Sequence, residues 1–207
     1  LQKAAIYRYS GNSWHLITDT VTLRIGAVVA LQNGDSWFSG YSSSGEAKMY
    51  HLNGNTIEVT SLLGVSNITA MSFPDHAHGW AIGIKTGSLV TQTIRFQGGS
   101  WVTEFAAPSN QTLLSLSSST QNSGWAVGKD ASNAGITYHF DGVSWSPGPG
   151  TSEGLRAVHH PDVNHAYAVG SNSVYTLAVN VWAQEPLNAG QLLVAVSFPS
   201  PGTGWVG

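Results

Sequence analysis

Short runs of alternating apolar and small or polar residues recur along the whole chain, and none keeps the 3.6-residue spacing of an amphipathic helix. One run starts at Ile25, Ile68, Leu113, Leu155 and Leu193 and reads apolar-x-small-apolar, with Ala27, Ala70, Ser115, Ala157 and Ala195 at the small position. Twelve residues after each start stands an aromatic ring, at positions 37, 80, 125, 167 and 205. Its best copies are Gly79-Trp80-Ala81-Ile82-Gly83 and Gly124-Trp125-Ala126-Val127-Gly128. Weaker copies are Ala166-Tyr167-Ala168-Val169-Gly170, Ser36-Trp37-Phe38-Ser39-Gly40 and Gly204-Trp205-Val206-Gly207. The steps of 43, 45, 42 and 38 residues are the period of a propeller blade, longer than that of most helical repeats.

A second motif runs in phase with the first. Tyr9-Ser10-Gly11-Asn12-Ser13-Trp14 recurs as Phe96-Gln97-Gly98-Gly99-Ser100-Trp101 and as Phe140-Asp141-Gly142-Val143-Ser144-Trp145. Leu52-Asn53-Gly54-Asn55-Thr56-Ile57 and the stretch ending in Val181-Trp182 fill the remaining places, so all eight tryptophans belong to two periodic sets. Gly and Asn between two strand-like runs mark tight hairpins. Each unit therefore reads as four strands: a small-residue strand nearest a crowded axis, the Gly-Trp strand, a third strand ending at the aromatic before the glycine turn, and a fourth beginning at Ser-Trp. Residues 192–207 supply strands one and two, and residues 3–18 supply strands three and four. The expectation is an all-β, five-bladed propeller of four-stranded antiparallel blades in one domain, its ring closed by pairing the N- and C-terminal half-blades. The blades fall at about 19–62, 63–106, 107–149 and 150–188.

The unit Leu-x-small-Val-x-Phe, Gly-Trp-Ala-Val-Gly, Tyr-x-Asp-Gly-x-Ser-Trp resembles the repeats of bacterial propeller proteins related to the BNR/Asp-box class. Its Gly-Trp-Ala-Val-Gly strand is similar to that of the photosystem II assembly-factor propellers. Of the aspartates that give the Asp-box its name only Asp141 is kept, with Ser10, Asn53, Gln97 and Ala178 in its place elsewhere. The assembly factors, as a family, have seven blades.

Composition narrows the function. The 8 basic and 11 acidic side chains make up 9% of 207 residues, against roughly 25% in an average domain. So few cations cannot neutralise many phosphates, which argues against a nucleic-acid partner. No apolar run is long enough for a membrane span. Cysteine is absent, which removes disulfides, thiolate catalysis and cysteine-based zinc sites.

Chemistry-bearing residues are sparse. None of the inner segments 25–31, 68–74, 113–119, 155–161 and 193–199 contains Asp or Glu, whereas glycoside hydrolysis normally needs a carboxylate pair. There is no nucleophile elbow, phosphate loop or His-Glu-x-x-His motif, and no cofactor or metal is expected. Arg24 and Arg156 lie near the starts of inner strands, where a guanidinium suits an anionic or hydroxyl-rich ligand at the axial mouth. His76, His78, His160 and His165 fall around the loops joining strands one and two, on the opposite side. Arg8, His51, Arg95, His139 and Thr176 recur on third strands and read as a solvated face. The Gly-Trp tryptophans, Trp80 and Trp125 above all, read as packing between blades, and so does the Ser-Trp set, whose outer-strand place leaves more room for partial exposure. The function expected is a non-catalytic binding or scaffold module of an extracytoplasmic bacterial protein, at the cell surface or secreted, with a protein or glycan ligand. The alternatives are a lectin with sites repeated between blades and, third, a propeller glycoside hydrolase.

Overall fold

The computed structural model describes residues 4–21, 24–32, 34–41, 45–178, 180–187 and 192–207, and among them it contains strands and no helix. Accordingly, no helix is long and apolar enough to cross a membrane. The chain opens with a two-stranded ribbon, β1 (Ala4–Ser10) and β2 (Ser13–Val21). Four sheets of four strands follow. They are β3 (Arg24–Ala30), β4 (Ser36–Tyr41), β5 (Ala47–Asn53) and β6 (Thr56–Leu62), then β7 (Val65–Ser72), β8 (His78–Lys85), β9 (Thr91–Gln97) and β10 (Ser100–Ala106). Next come β11 (Gln111–Thr120), β12 (Ser123–Asp130), β13 (Gly135–Phe140) and β14 (Trp145–Pro147), and β15 (Ala157–Asp162), β16 (His165–Val169), β17 (Ser173–Ala178) and β18 (Val181–Pro186). The chain ends in a second ribbon, β19 (Val196–Ser200) and β20 (Thr203–Val206). Every pairing is antiparallel between strands consecutive in sequence, which gives the meander of a propeller blade.

The repeat motifs now have physical causes. In the apolar-x-small run the middle residue is a β-bulge: Ile68 faces Gly83 and Ala70 faces Ile82, with the same slip between Leu113 and Ser115 and between Ile25 and Ala27. The last glycine of the Gly-Trp motif lies opposite this slip. A Cβ on Gly128 would meet the Thr112 carbonyl oxygen at 1.9 Å, so no side chain fits. The first glycine serves the loop aromatic instead: a Cβ on Gly79 would fall 2.4 Å from the Phe73 ring. In two of the hairpins both central residues hold positive φ, Gly11 with Asn12 and Gly98 with Gly99, as a type I′ two-residue turn between twisted strands requires.

Inter-blade packing follows one rule. Where a four-stranded sheet follows, the second-strand aromatic packs on the outer pair of that sheet. Trp37 meets Phe96 and Trp101, Trp80 meets Phe140 at 5.2 Å, and Trp125 meets Trp182 edge-on at 5.4 Å. Trp80 is 1% and Trp125 4% exposed. Trp145 and Trp182 are buried as well and Trp101 is half-buried. The outer-strand set therefore packs as core wherever a preceding blade covers it, as the packing reading expected, with Trp101 partly exposed. Inner strands are also laced by short polar groups. The Ser72 and Ser118 hydroxyls are 2.9 Å apart, and Ser115 and Ser117 accept from the N–H groups of Val158 and His160 on the next blade. Small residues at these positions thus allow close approach and supply hydrogen bonds across it.

The expected pairing of residues 3–18 with 192–207 is not formed in this structure; residue 3 lies outside the described residues. β1 pairs with β2 alone and β20 with β19 alone. Each ribbon is instead held by its neighbour: Ile6 and Ile17 pack on Phe38, and Phe198 packs on Tyr167. Trp14 and Trp205 are 69% and 77% exposed.

Candidate binding surfaces

The loops that join first to second strands share one construction. In Pro74–His78 the Asp75 carboxylate accepts from the N–H groups of Ala77 and His78 at 2.7 and 2.9 Å. The His78 Nδ1–H donates to both of its oxygens at 2.9 and 3.0 Å. Two blades on, the His165 Nδ1–H donates to both oxygens of Asp162 at 2.8 and 3.0 Å, and the Asn164 N–H caps the same carboxylate. Partial burial pulls the Asp75 carboxyl upward. The N–H of Ala77 and the His78 imidazole outweigh this and hold it below the usual carboxylate range. The His165 imidazole, with the N–H of Asn164, does the same for Asp162. In each loop a carboxylate fixes an imidazole through Nδ1, and Nε2 has no partner among the described residues.

Around the first of these loops the surface is concave. A groove of about 610 Å³ runs between Pro74–His78 and the Ser119–Gln121 turn of the next blade, and one of about 480 Å³ lies on the other side, against Ala30–Gln32 and Phe73. The first groove offers the exposed His76 ring, the fixed His78 ring, the Thr120 hydroxyl and the Gln121 amide. A third concavity of about 520 Å³ separates the outer strands β6 and β10, with exposed Leu63 and Val102 beside Trp101.

The sequence-derived candidates separate into different places. His76 is exposed at the loop tip and His78 and His165 are the fixed rings. His160 is not a loop residue. It lies in β15, 2% exposed, donating from Nδ1–H to the His165 carbonyl at 2.8 Å and accepting at Nε2 from the Ser123 hydroxyl at 2.9 Å. Burial holds its pKa below the ordinary imidazole value. Arg24 is exposed at the start of β3, opposite Tyr41. Arg156 is half-buried just before β15, its N–H bonded to the Val169 carbonyl and its buried Nε without a partner among the described residues. Among the described residues no three of His, Asp and Glu converge to hold a metal ion.

Of the row read as a solvated face, His51, Arg95 and His139 stack on the second-strand tryptophan of their own blade, while Arg8 is exposed. The His51 ring lies parallel to Trp37, centroids 4.1 Å apart and planes at 6°, and His139 lies 4.6 Å from Trp125. Arg95 spreads over Trp80 at 5.3 Å and Phe140 at 4.9 Å while bonding Glu104 and the Gln121 carbonyl. These residues stand directly opposite the second-strand tryptophans, and the in-phase spacing was the signal that could have paired them. Glu153 was also missed. It accepts from the N–H groups of Ser171 and Asn172 and from the Tyr175 hydroxyl, packed against Gly170.

No protein-family model matches the chain, and no curated protein sequence does. Solved structures do. YCF48 bound to D1 peptide superposes on 88% of the chain at 17% identity with a TM-score of 0.61, and YCF48 from Cyanidioschyzon merolae on 98% at 16% and 0.65. The lectin SapL1 in complex with alpha methyl fucoside superposes on 91% at 16% identity and 0.64. The matches take in 59%, 73% and 74% of those chains, so this chain spans about three-fifths of the length of the peptide-bound one. At such identity the likeness carries the fold, and with the antiparallel four-stranded sheets it defines the class: the protein is a β-propeller.

Proposed function

We propose that this chain is a non-catalytic binding module that holds a protein segment in the groove between Pro74–His78 and Ser119–Gln121. The observation that carries the reading is the Asp75–His78 clamp at the groove wall. A fixed imidazole beside hydroxyl and amide groups presents preorganised donors and acceptors, which suits the alternating N–H and C=O groups of a peptide. YCF48, a fold neighbour, is solved with a peptide bound. The absence of carboxylates from the inner segments argues against a hydrolase. Arg24 and Arg156 are proposed as secondary ligand contacts at the axial mouth. We place the module outside the cytoplasm of a bacterium on its cysteine-free, charge-poor, Gly-, Ser-, Thr- and Asn-rich sequence, and we propose a ring of five blades whose fifth is assembled from the two ends. The second reading, a lectin, is favoured by the β6–β10 groove, where Leu63, Val102 and Trp101 offer an apolar platform.

Peptide and glycan arrays probed with the intact chain, with His76→Ala and His78→Ala beside it, test the proposal. Peptide binding lost in both variants supports it. Glycan binding indifferent to them but lost in Leu63→Ser promotes the lectin, and turnover of a chromogenic glycoside overturns the non-catalytic reading.

A further inference from the structure

Charge is divided between the two ends of the sheets. The turns that join first to second and third to fourth strands lie at one end, and the Asp75–His78 groove opens there. All eight histidines fall in those turns or in the strand halves beside them, from His15 in β2 to His165 at the start of β16. Arg24, Lys48, Lys85, Lys129 and Arg156 lie at the other end, where second strands finish and first and third strands start. Of the other described cations, Arg8 is on the first ribbon, and Arg95 is spread over Trp80 and bonded to Glu104. New positive charge at the groove end can therefore come only from protonated imidazole.

The carboxylates at this end are already engaged. Asp75 and Asp162 hold the clamps, Asp141 accepts from the N–H groups of Val143 and Ser144 at 2.9 Å each, and Asp35 and Glu58 flank His51 at 3.8 Å. What the groove leaves open is imidazole: the exposed His76 ring and the Nε2 edge of His78. Among the described residues, Ser119–Gln121, Ala30–Gln32 and strands β7 and β11 bring no charged group to this wall, and Lys85 is at the far end of β8. Asp75 faces the rings from their own loop, and Arg95, paired with Glu104, reaches the turn through the Gln121 carbonyl. On the other side His51, beside Asp35, stacks on Trp37, which in turn stacks on Phe73.

Protonation changes what this wall recognises. With its Nδ1–H given to Asp75, a neutral His78 carries a lone pair at Nε2 and can only accept there. A solvent proton on Nε2 turns it into a donor, and the Asp75 carboxylate balances the new charge. We infer that the protein segment held in this groove is acidic, its carboxylates taking hydrogen bonds from protonated His76 and His78, so that acid tightens the complex. The inference rests on the groove proposed above and names the chemistry of its occupant. Glutamate and aspartate stay ionised well below the pH at which imidazole charges, so both sides carry charge in the same window. Hydrogen bonds between two such ions are the strong kind.

The probe is a rhodamine-labelled peptide of alternating Glu and Ser, with its Gln-for-Glu counterpart beside it, titrated against the intact chain at about pH 7.5 and 5.5. The Glu peptide should bind about 10- to 100-fold tighter at the lower pH, and the Gln peptide should gain nothing. His76→Gln combined with His78→Gln should abolish the gain, whereas His15→Gln, at the same end but outside the groove, should keep it. Tryptophan emission checks that each variant is folded, and acid unfolding would lower affinity and so cannot imitate the gain. A Glu peptide whose affinity is flat or falls with acid, or that fails to bind at the lower pH, overturns the acidic occupant. The groove itself then stands if a neutral array peptide is lost in His76→Ala and His78→Ala. An acid gain that persists in the combined Gln variant puts the site elsewhere and overturns the groove and its occupant together.

Discussion

The guanidinium of Arg95 lies over the indole of Trp80, 5.3 Å from its centroid, and reaches on to Phe140 and Glu104. One side chain thus joins two blades by stacking, an ion pair and a hydrogen bond to the Gln121 carbonyl. Its planar fork allows all three, which the point charge of a lysine does not. Arg95→Lys should cost about 1–2 kcal/mol and Arg95→Met about 1–3 kcal/mol in urea unfolding, since Glu104 then loses its partner. An unchanged midpoint in both would show that the stack adds nothing.

Trp80 tests the packing rule. Its side chain is fully buried, and its indole nitrogen has no hydrogen-bond partner among the described residues. Trp80→Ala should therefore cost about 3–5 kcal/mol. Trp80→Phe should cost only about 1–2 kcal/mol, because volume is lost but no hydrogen bond. Equal losses in the two variants would contradict a purely packing role.

A methyl group at Gly128 has nowhere to go but into the Thr112 carbonyl. Gly128→Ala should destabilise by about 2–4 kcal/mol through the forced backbone shift. Ala126, one strand position pair away and also buried, gives the contrast: Ala126→Gly leaves only a small void and should cost about 1 kcal/mol. Similar effects at the two positions would refute the close-approach reading of the motif's last glycine.

How much of this was legible in the chain depends on whether a property repeats. The blades, the glycine turns and the buried Gly-Trp rings are periodic, so the in-phase spacing of Trp37, Trp80 and Trp125 was enough to place them. The stacking of His51, Arg95 and His139 was equally periodic. It read as solvated because a polar side chain's face is invisible until the opposite strand is known. His160 and Glu153 are single occurrences held by partners far away in sequence, Ser123 and Asn172 among them, and no local pattern marks them. The loop clamps lie between: Asp three residues before His at both Asp75 and Asp162 is a short-range pattern, but its hydrogen bonds needed the turn.

Acid should loosen the inner strands first. Burial holds His139, His159 and His160 below the ordinary imidazole pKa, so the unfolded chain takes up these protons more readily than the folded one. Their contribution to stability is complete above the unfolded value of about 6.5 and is lost as pH falls below it. His159 adds a local effect, since a protonated Nδ1 cannot accept the Phe198 N–H. The protection factor of the Phe198 amide should fall as pH drops below about 6.5, before Trp80 or Trp125 respond. His159→Phe should abolish the pH step there, and a step that persists would assign it to another group.

The central claim is that the groove at the Asp75–His78 loop is where this propeller binds, and mapping a ligand onto the intact chain by amide and imidazole NMR shifts tests it most directly. With any peptide selected from the array, the account predicts that His76, His78, Thr120 and Gln121 shift together and saturate at one concentration, while Leu63 and Trp101 stay unchanged. Shifts confined to the β6–β10 groove or to the axial mouth around Arg24 and Arg156, with the loop unmoved, would contradict it.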